Sequence, residues 1–122
     1  MKLLNLGAAI YEFNCKQGEK IIPLVLTNVH LEDYLDPKKG YLGATLGRVA
    51  GRIKHGTFQL EDKTYLLDIN ELDKQNSLHG GSLGFSFQYF DLVEQTKTDV
   101  PYFILIKNIL DYKIEKTGTG LY

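Results

Sequence analysis

Eight of the twelve glycines of this 122-residue chain fall between Gly40 and Gly84, gathered in two knots. The first knot holds Gly40, Gly43, Gly47, Gly51 and Gly56, and the second holds Gly80, Gly81 and Gly84. Clustered glycine marks backbone that needs unusual dihedrals or lets another group come close. Both arginines, Arg48 and Arg52, lie inside the first knot, and every other basic residue except histidine is lysine. Arginine presents a rigid five-donor fork that lysine cannot imitate. Glycine and arginine together point to a site, without naming its ligand.

Around the knots the chain reads as short apolar segments separated by turn residues, a pattern of strands more than helices. Leu4 to Phe13 is expected as one strand, with Gly7 a bulge or a close backbone approach. Gly18-Glu19-Lys20 is a turn, followed by a strand from Ile21 to Thr27 in which Pro23 marks an edge. Leu31 to Asp36 is expected as one helical turn, stopped by Pro37 and Gly40. Thr57 to Leu60 and Thr64 to Ile69 suggest a hairpin closed by Glu61-Asp62-Lys63, with Phe58 and Leu60 on one face. Gln88 to Glu94 and Tyr102 to Lys107 read as two further strands. The class is mainly β, in a single domain over residues 1–122.

Composition narrows the function. At 43% hydrophobic and 24% charged residues the chain is an ordinary globular protein. A net charge of −1 with no basic run argues against nucleic acid as a partner. No apolar stretch approaches the roughly 20 residues of a membrane-spanning helix. The apolar start is broken by Asn5 and followed by Tyr11-Glu12, unlike a signal peptide. The single cysteine, Cys15, fits a reducing compartment and reads as a small buried hydrophobe. A soluble, cytoplasmic protein is expected.

Two segments carry chemistry. If Gly47-Arg48-Val49-Ala50-Gly51-Arg52-Ile53 is extended, Arg48, Ala50 and Arg52 share one face. A bulge at Gly51 would turn Arg52 elsewhere, and two solvated arginines on a sheet surface fit the pattern equally well. In Asn76-Ser77-Leu78-His79-Gly80-Gly81 the glycines let the backbone turn sharply and present the imidazole at a loop rim. A neutral imidazole both donates and accepts hydrogen bonds, which suits a ligand rich in hydroxyls or carrying a ring oxygen. A plain surface histidine fits as well. His30, His55 and His79 are too scattered, with Cys15 far away, for a zinc site. The glycine spacing is not that of a dinucleotide fold. Asp33, Asp36, Glu61 and Asp62 read as cap and turn residues.

Taken in order, Tyr41-Leu42-Gly43-Ala44-Thr45-Leu46-Gly47-Arg48-Val49-Ala50-Gly51-Arg52-Ile53, Thr57-Phe58-Gln59-Leu60, Thr64-Tyr65 and Asn76-Ser77-Leu78-His79-Gly80-Gly81 closely resemble the aldose 1-epimerases, the galactose mutarotase family. Asn5-Leu6-Gly7-Ala8 and Leu31-Glu32-Asp33-Tyr34 are similar to that family's opening strands. The resemblance covers about residues 1 to 95 and implies part of a large antiparallel β-sandwich of the galactose mutarotase type. It implies an open cleft for a hexose such as galactose or glucose, and interconversion of its α and β anomers by acid–base ring opening. Neither a metal nor an organic cofactor is implied. By position, Arg52 matches the family's arginine for sugar hydroxyls. His79 matches the histidine that hydrogen-bonds near the ring oxygen, an auxiliary catalytic role. Gly51 stands where many members carry a sugar-contacting asparagine, and Arg48 is expected to be structural.

The end of the chain departs from the family. The general-acid histidine and general-base glutamate lie well downstream of the His-Gly-Gly loop in chains much longer than this one. Here 41 residues follow Gly81 and none is histidine. Glu94 and Glu115 do not sit in segments resembling the family's base motif, and the tail from 108 to 122 is divergent. The expectation is therefore a truncated epimerase domain, inactive alone, with self-association through exposed sheet edges. A non-catalytic hexose-binding module is the alternative, for which the apolar run from Val100 to Leu110 would close the sheet. A third reading has a partner chain supply the acid and the base.

Overall fold

The computed structural model describes residues 1–96 and 102–107. The divergent tail with Glu115, and the ends of the run from Val100 to Leu110, lie outside the described residues. In chain order the first strands are β1 (Lys2–Leu3), β2 (Ile10–Glu12), β3 (Asn14–Gln17) and β4 (Lys20–Pro23). Next come β5 (Arg52–Lys54), β6 (Thr57–Leu60), β7 (Lys63–Leu66) and β8 (Asn76–Leu78). The last two are β9 (Asp91–Gln95) and β10 (Phe103–Ile106). They pair antiparallel as β1–β2, β3–β4, β5–β8, β6–β7 and β9–β10. The class is mainly β as expected, with two short 3₁₀ turns among the described residues, Leu31–Leu35 and Phe85–Phe87. Among the described residues no helix is long and apolar enough to cross a membrane.

The described residues form two compact units, one of Met1–Thr45 with the segment from Ser86 onward, the other of Leu46–Phe85. In the first unit the expected single strand from Leu4 to Phe13 is instead a fold-back between β1 and β2. Leu4 N–H donates to the Ala9 carbonyl at 2.8 Å, and Gly7 (φ +63°) and Ala8 (φ +45°) turn the chain. Gly7 is a close approach: a Cβ there would stand 2.6 Å from the Ser86 carbonyl oxygen. Its own N–H donates to the Gln88 carbonyl, and its carbonyl accepts from Thr45 N–H.

The small core of this unit is Leu6, Ala9 and Tyr34, with Leu4, Tyr11 and Ala44 packed against it. Tyr34 sits on the helical turn expected at Leu31 to Asp36, which is 3₁₀ in geometry. Its hydroxyl is 2.9 Å from Thr27 Oγ1, which satisfies the polar tip of a buried ring. Asp36 accepts from Lys38 N–H and Asp33 pairs with Lys39, so both acids serve the turn.

The β3–β4 hairpin closes through Gly18 (φ +62°) and stops at Pro23, short of the expected Thr27. Cys15 is exposed, not buried, because all four residues of β3 are exposed in a two-stranded hairpin. Strand β9 starts at Asp91 instead of Gln88. The residues before it are held otherwise, by a Leu6–Tyr89 bridge and by Phe90 N–H donating to the Asn5 carbonyl.

In the second unit β6 and β7 form the expected hairpin, turned by Glu61 (φ +53°) and Asp62. However, β7 starts at Lys63, which pairs with Leu60, and ends at Leu66, short of the expected Ile69. Phe58 and Tyr65 stack across it with centroids 5.1 Å apart. Phe58 is half-buried while Leu60, on the same face, is exposed. Gly47 to Ile53 is not one extended run. Only its end, from Arg52, is strand, because the Gly47 carbonyl turns aside to accept from Phe85 N–H at 3.0 Å.

Two glycines with nearly equal φ, Gly7 at +63° and Gly18 at +62°, separate close approach from turn strain. Gly18→Ala meets nothing within 4 Å and carries only the left-handed penalty of about 1–2 kcal/mol. Gly7→Ala adds a clash with main chain that cannot rotate away. Its urea midpoint is expected to fall by clearly more than that of Gly18→Ala.

Candidate functional site

The pairing of β5 with β8 sets Arg52 opposite Leu78, so the residues just outside the ladder, Gly51 and His79, face each other. They are joined twice. His79 N–H donates to the Gly51 carbonyl at 2.9 Å, and Gly51 N–H donates to His79 Nδ1 at 3.0 Å. A main-chain N–H can only donate, so Nδ1 must be the acceptor and the neutral imidazole carries its proton on Nε2. Whatever Nε2 meets is therefore met by a donor. Burial pushes the His79 pKa down, the Arg52 charge pushes it further down, and Glu71 opposes them. The net lowering favours the neutral ring.

The loop that carries the histidine runs through three successive left-handed residues: His79 (φ +52°), Gly80 (φ +92°) and Gly81 (φ +81°). Histidine tolerates that region better than most side chains. The glycines are required by space as well: a Cβ at Gly80 would fall 2.0 Å from the Gly47 carbonyl oxygen. Here the two knots meet, backbone against backbone. Asp68 accepts from Ser82 N–H at 2.6 Å and closes the far side of the loop.

Asn70 holds β8 from its other edge. Its amide donates to the Leu78 carbonyl at 2.9 Å and its oxygen accepts from Leu78 N–H at 2.7 Å, as a neighbouring strand would. Both main-chain groups just before His79 are thereby satisfied.

Arg52, the first residue of β5, has a half-exposed side chain. Glu71 grips it from the side: Nε lies 2.9 Å from both carboxylate oxygens, and Nη2 donates to Oε1 at 2.8 Å. Asn76 donates to Glu71 Oε2 at 2.8 Å, and Lys74 stands 3.6 Å from Oε1. Hydrogen bonds from Arg52 and Asn76 hold the Glu71 carboxyl down at about 2. Glu71 is placed by a short turn in which it exchanges main-chain hydrogen bonds with Asn76.

Of the residues expected from sequence, the fold brings Gly51, Arg52 and His79 together. Arg48 is exposed with no role in this cluster. Glu94 accepts from the Tyr102 hydroxyl on the β9–β10 hairpin, in the other unit. Among the described residues no group of three or more His, Cys, Asp or Glu side chains is arranged to hold a metal. Sequence reasoning missed Asp68, Asn70 and Glu71. Their signal was their place between the two knots, just ahead of the Asn-Ser-Leu-His run they brace.

The sequence profile of the aldose 1-epimerase family matches residues 1–113. The chain belongs to the aldose 1-epimerase family. Human galactose mutarotase is 52% identical over 74 residues, 61% of this chain and 20% of that protein. Maltose epimerase of Levilactobacillus brevis is 35% identical over 103 residues, 84% of this chain and 29% of that protein. In structure, an aldose epimerase homologue from C. elegans superposes with a TM-score of 0.62 at 28% identity, over 77% of this chain and 28% of the other. Galactose 1-epimerase from Lactobacillus acidophilus gives a TM-score of 0.58 at 26% identity, over 80% and 26%. The fold is thus galactose mutarotase-like. The chain spans about a fifth to three tenths of the length of these epimerases.

The pKa directions set a pH dependence. His79 titrates lower in the fold than in the unfolded chain, so the unfolded chain takes up this proton first. Stability is expected to drop as pH falls from about 6.5 through the folded value. Glu71, also depressed, contributes stability that is complete above about 4.5 and lost as pH falls toward about 2. Urea midpoints measured across this range should fall in two stages, with His79→Ala removing the first and Glu71→Gln the second.

Proposed function

We propose that this chain holds a hexose such as galactose or glucose and serves the interconversion of its α and β anomers. In this reading Arg52 donates to sugar hydroxyls, His79 donates from Nε2 near the ring oxygen, and Gly51 contributes backbone. The observation that carries it is the double tie between Gly51 and His79. It fixes a neutral donor next to an arginine, in a chain of the aldose 1-epimerase family. Polarising the ring oxygen is the electrophilic half of ring opening. The other half, removing the proton from the anomeric hydroxyl, needs a base. His79 cannot be that base as held, since Nδ1 is engaged and Nε2 already bears a proton. This feature also supports the second reading, a hexose-binding module without turnover. Its working place in either reading is the cytoplasm, in keeping with a single cysteine.

Binding and turnover are tested separately. Galactose is expected to bind saturably, and Arg52→Ala and His79→Ala each to weaken it by roughly tenfold, the worth of one good hydrogen bond. Polarimetry of freshly dissolved α-galactose then divides the two readings. Acceleration that vanishes in His79→Ala assigns turnover to this chain. A folded chain that binds without acceleration is a binding module, and one that does neither overturns both.

Self-association with a second copy is the remaining part of the proposal. Each strand has a single ladder partner among the described residues, and Leu92, Val93, Ile104 and Ile106 on β9–β10 are exposed. Open apolar edges of this kind template pairing. Light scattering is expected to give a mass above 13.8 kDa that rises with concentration; a concentration-independent monomer would refute this part.

A further inference from the structure

Arg52 carries five N–H donors, and Glu71 takes its Nε–H and one of the two on Nη2. The other three, two on Nη1 and one on Nη2, meet no partner among the described residues, and the side chain is half exposed. They form the far end of the guanidinium, a fork suited to two neighbouring oxygens. Two ligand chemistries fit a fork: adjacent hydroxyls, which are neutral, and a carboxylate or phosphate, which is anionic. Geometry alone does not choose between them, but charge does.

Glu71 stands against Arg52 with its carboxylate ionised. Lys74 lies beside Glu71, and Asp73 is near enough for its charge to act on Arg52. Arg52 and Lys74 against Glu71 and Asp73 sum to zero, and the adjacent His79 is neutral. An anion at the fork would lose hydration while facing a cation already compensated, whereas a diol has no charge to desolvate. Unlike a generic surface ion pair, Glu71 is braced by Asn76 and is itself largely buried, its side chain only 10% exposed.

We infer that Glu71 is the specificity-determining residue of this site: by neutralising Arg52 while leaving its outer fork exposed, it selects neutral hexoses over uronates and sugar phosphates. This rests on the hexose reading of the site above. It adds that the selection comes from a residue that binds no sugar itself. Glu71→Gln keeps the size and one acceptor but removes the charge, turning the fork into a net cation.

The test is a pair of titrations, galactose and galacturonate, against the isotope-labelled chain, following the Arg52 Nε–H and the His79 ring by NMR. The wild type is expected to prefer galactose. In Glu71→Gln the ratio is expected to move toward galacturonate by about tenfold, the scale of one charge interaction at this range in a half-exposed site. Adding Arg52→Ala should cancel the gain. Asp73→Asn, an exposed change in the same cluster, should shift the ratio the same way by less, and it decides the matter if Glu71→Gln fails to fold. An unchanged ratio in a folded variant overturns the inference. If the wild type takes no galactose, the hexose reading fails. Galacturonate capture by Glu71→Gln, absent from the wild type and lost with Arg52→Ala, still decides the role of Glu71.

Discussion

The site depends on a main-chain N–H pointing at an imidazole. Gly51 donates to Nδ1 of His79, and His79 donates back to the Gly51 carbonyl. These two bonds continue the β5–β8 ladder by one residue past its last regular pair. They set the ring's orientation and tautomer together, so neither needs a second side chain. The left-handed dihedrals at Gly51 and His79 are what allow the chain to make this tie. Both residues leave the strand region where the regular ladder ends, which brings the His79 ring back onto the Gly51 main chain.

Arg52 is held by a different kind of force. It lies on the strand itself, so its backbone is fixed by pairing, but its long side chain would wander without Glu71. A planar guanidinium gripped along its Nε side loses its rotamer freedom once and presents a fixed outer edge thereafter. Asn70 and Asn76 brace the two halves of the arrangement, one by holding Leu78 and the other by holding Glu71. The site is therefore local to Leu46–Phe85, the unit in which all of these residues reside.

Much of this was legible in the sequence, and the parts that were not share a cause. Period-two patterning and turn residues located the β6–β7 hairpin, the turn at Gly18 and the helical turn around Tyr34, because each is set by near neighbours. The two glycine knots located the site, since glycine is demanded where backbones meet, as Gly47 and Gly80 do. What sequence could not supply was pairing at a distance. Leu4 to Phe13 has the composition of one strand, yet Gly7 turns it back against main chain contributed by Ser86 and Gln88, some eighty residues on. Cys15 has the character of a buried residue, and its exposure depends on which strands cover a hairpin. Glu71 looked like one more charged residue in a polar turn until the register of β5 and β8 brought Arg52 to it. Gly51 is the instructive middle case. Its φ of +83° is accessible to glycine and, among side-chain-bearing residues, most readily to asparagine and aspartate. The residue that the family resemblance implies here and the one this chain carries satisfy the same dihedral.

The tie at Nδ1 also bears on how the site can change over generations. A tautomer fixed by a neighbouring carboxylate or amide side chain is one point mutation from being lost. Here the donor is peptide, and any residue that holds φ near +83°, glycine first and then asparagine or aspartate, brings the same N–H to position 51. Proline is barred there in any case, because its ring fixes φ on the opposite side. The location of the imidazole proton is thus insulated from side-chain drift at the contact itself. Within that small set the side chain at position 51 can change to suit a ligand while the sense of that hydrogen bond stays as it is.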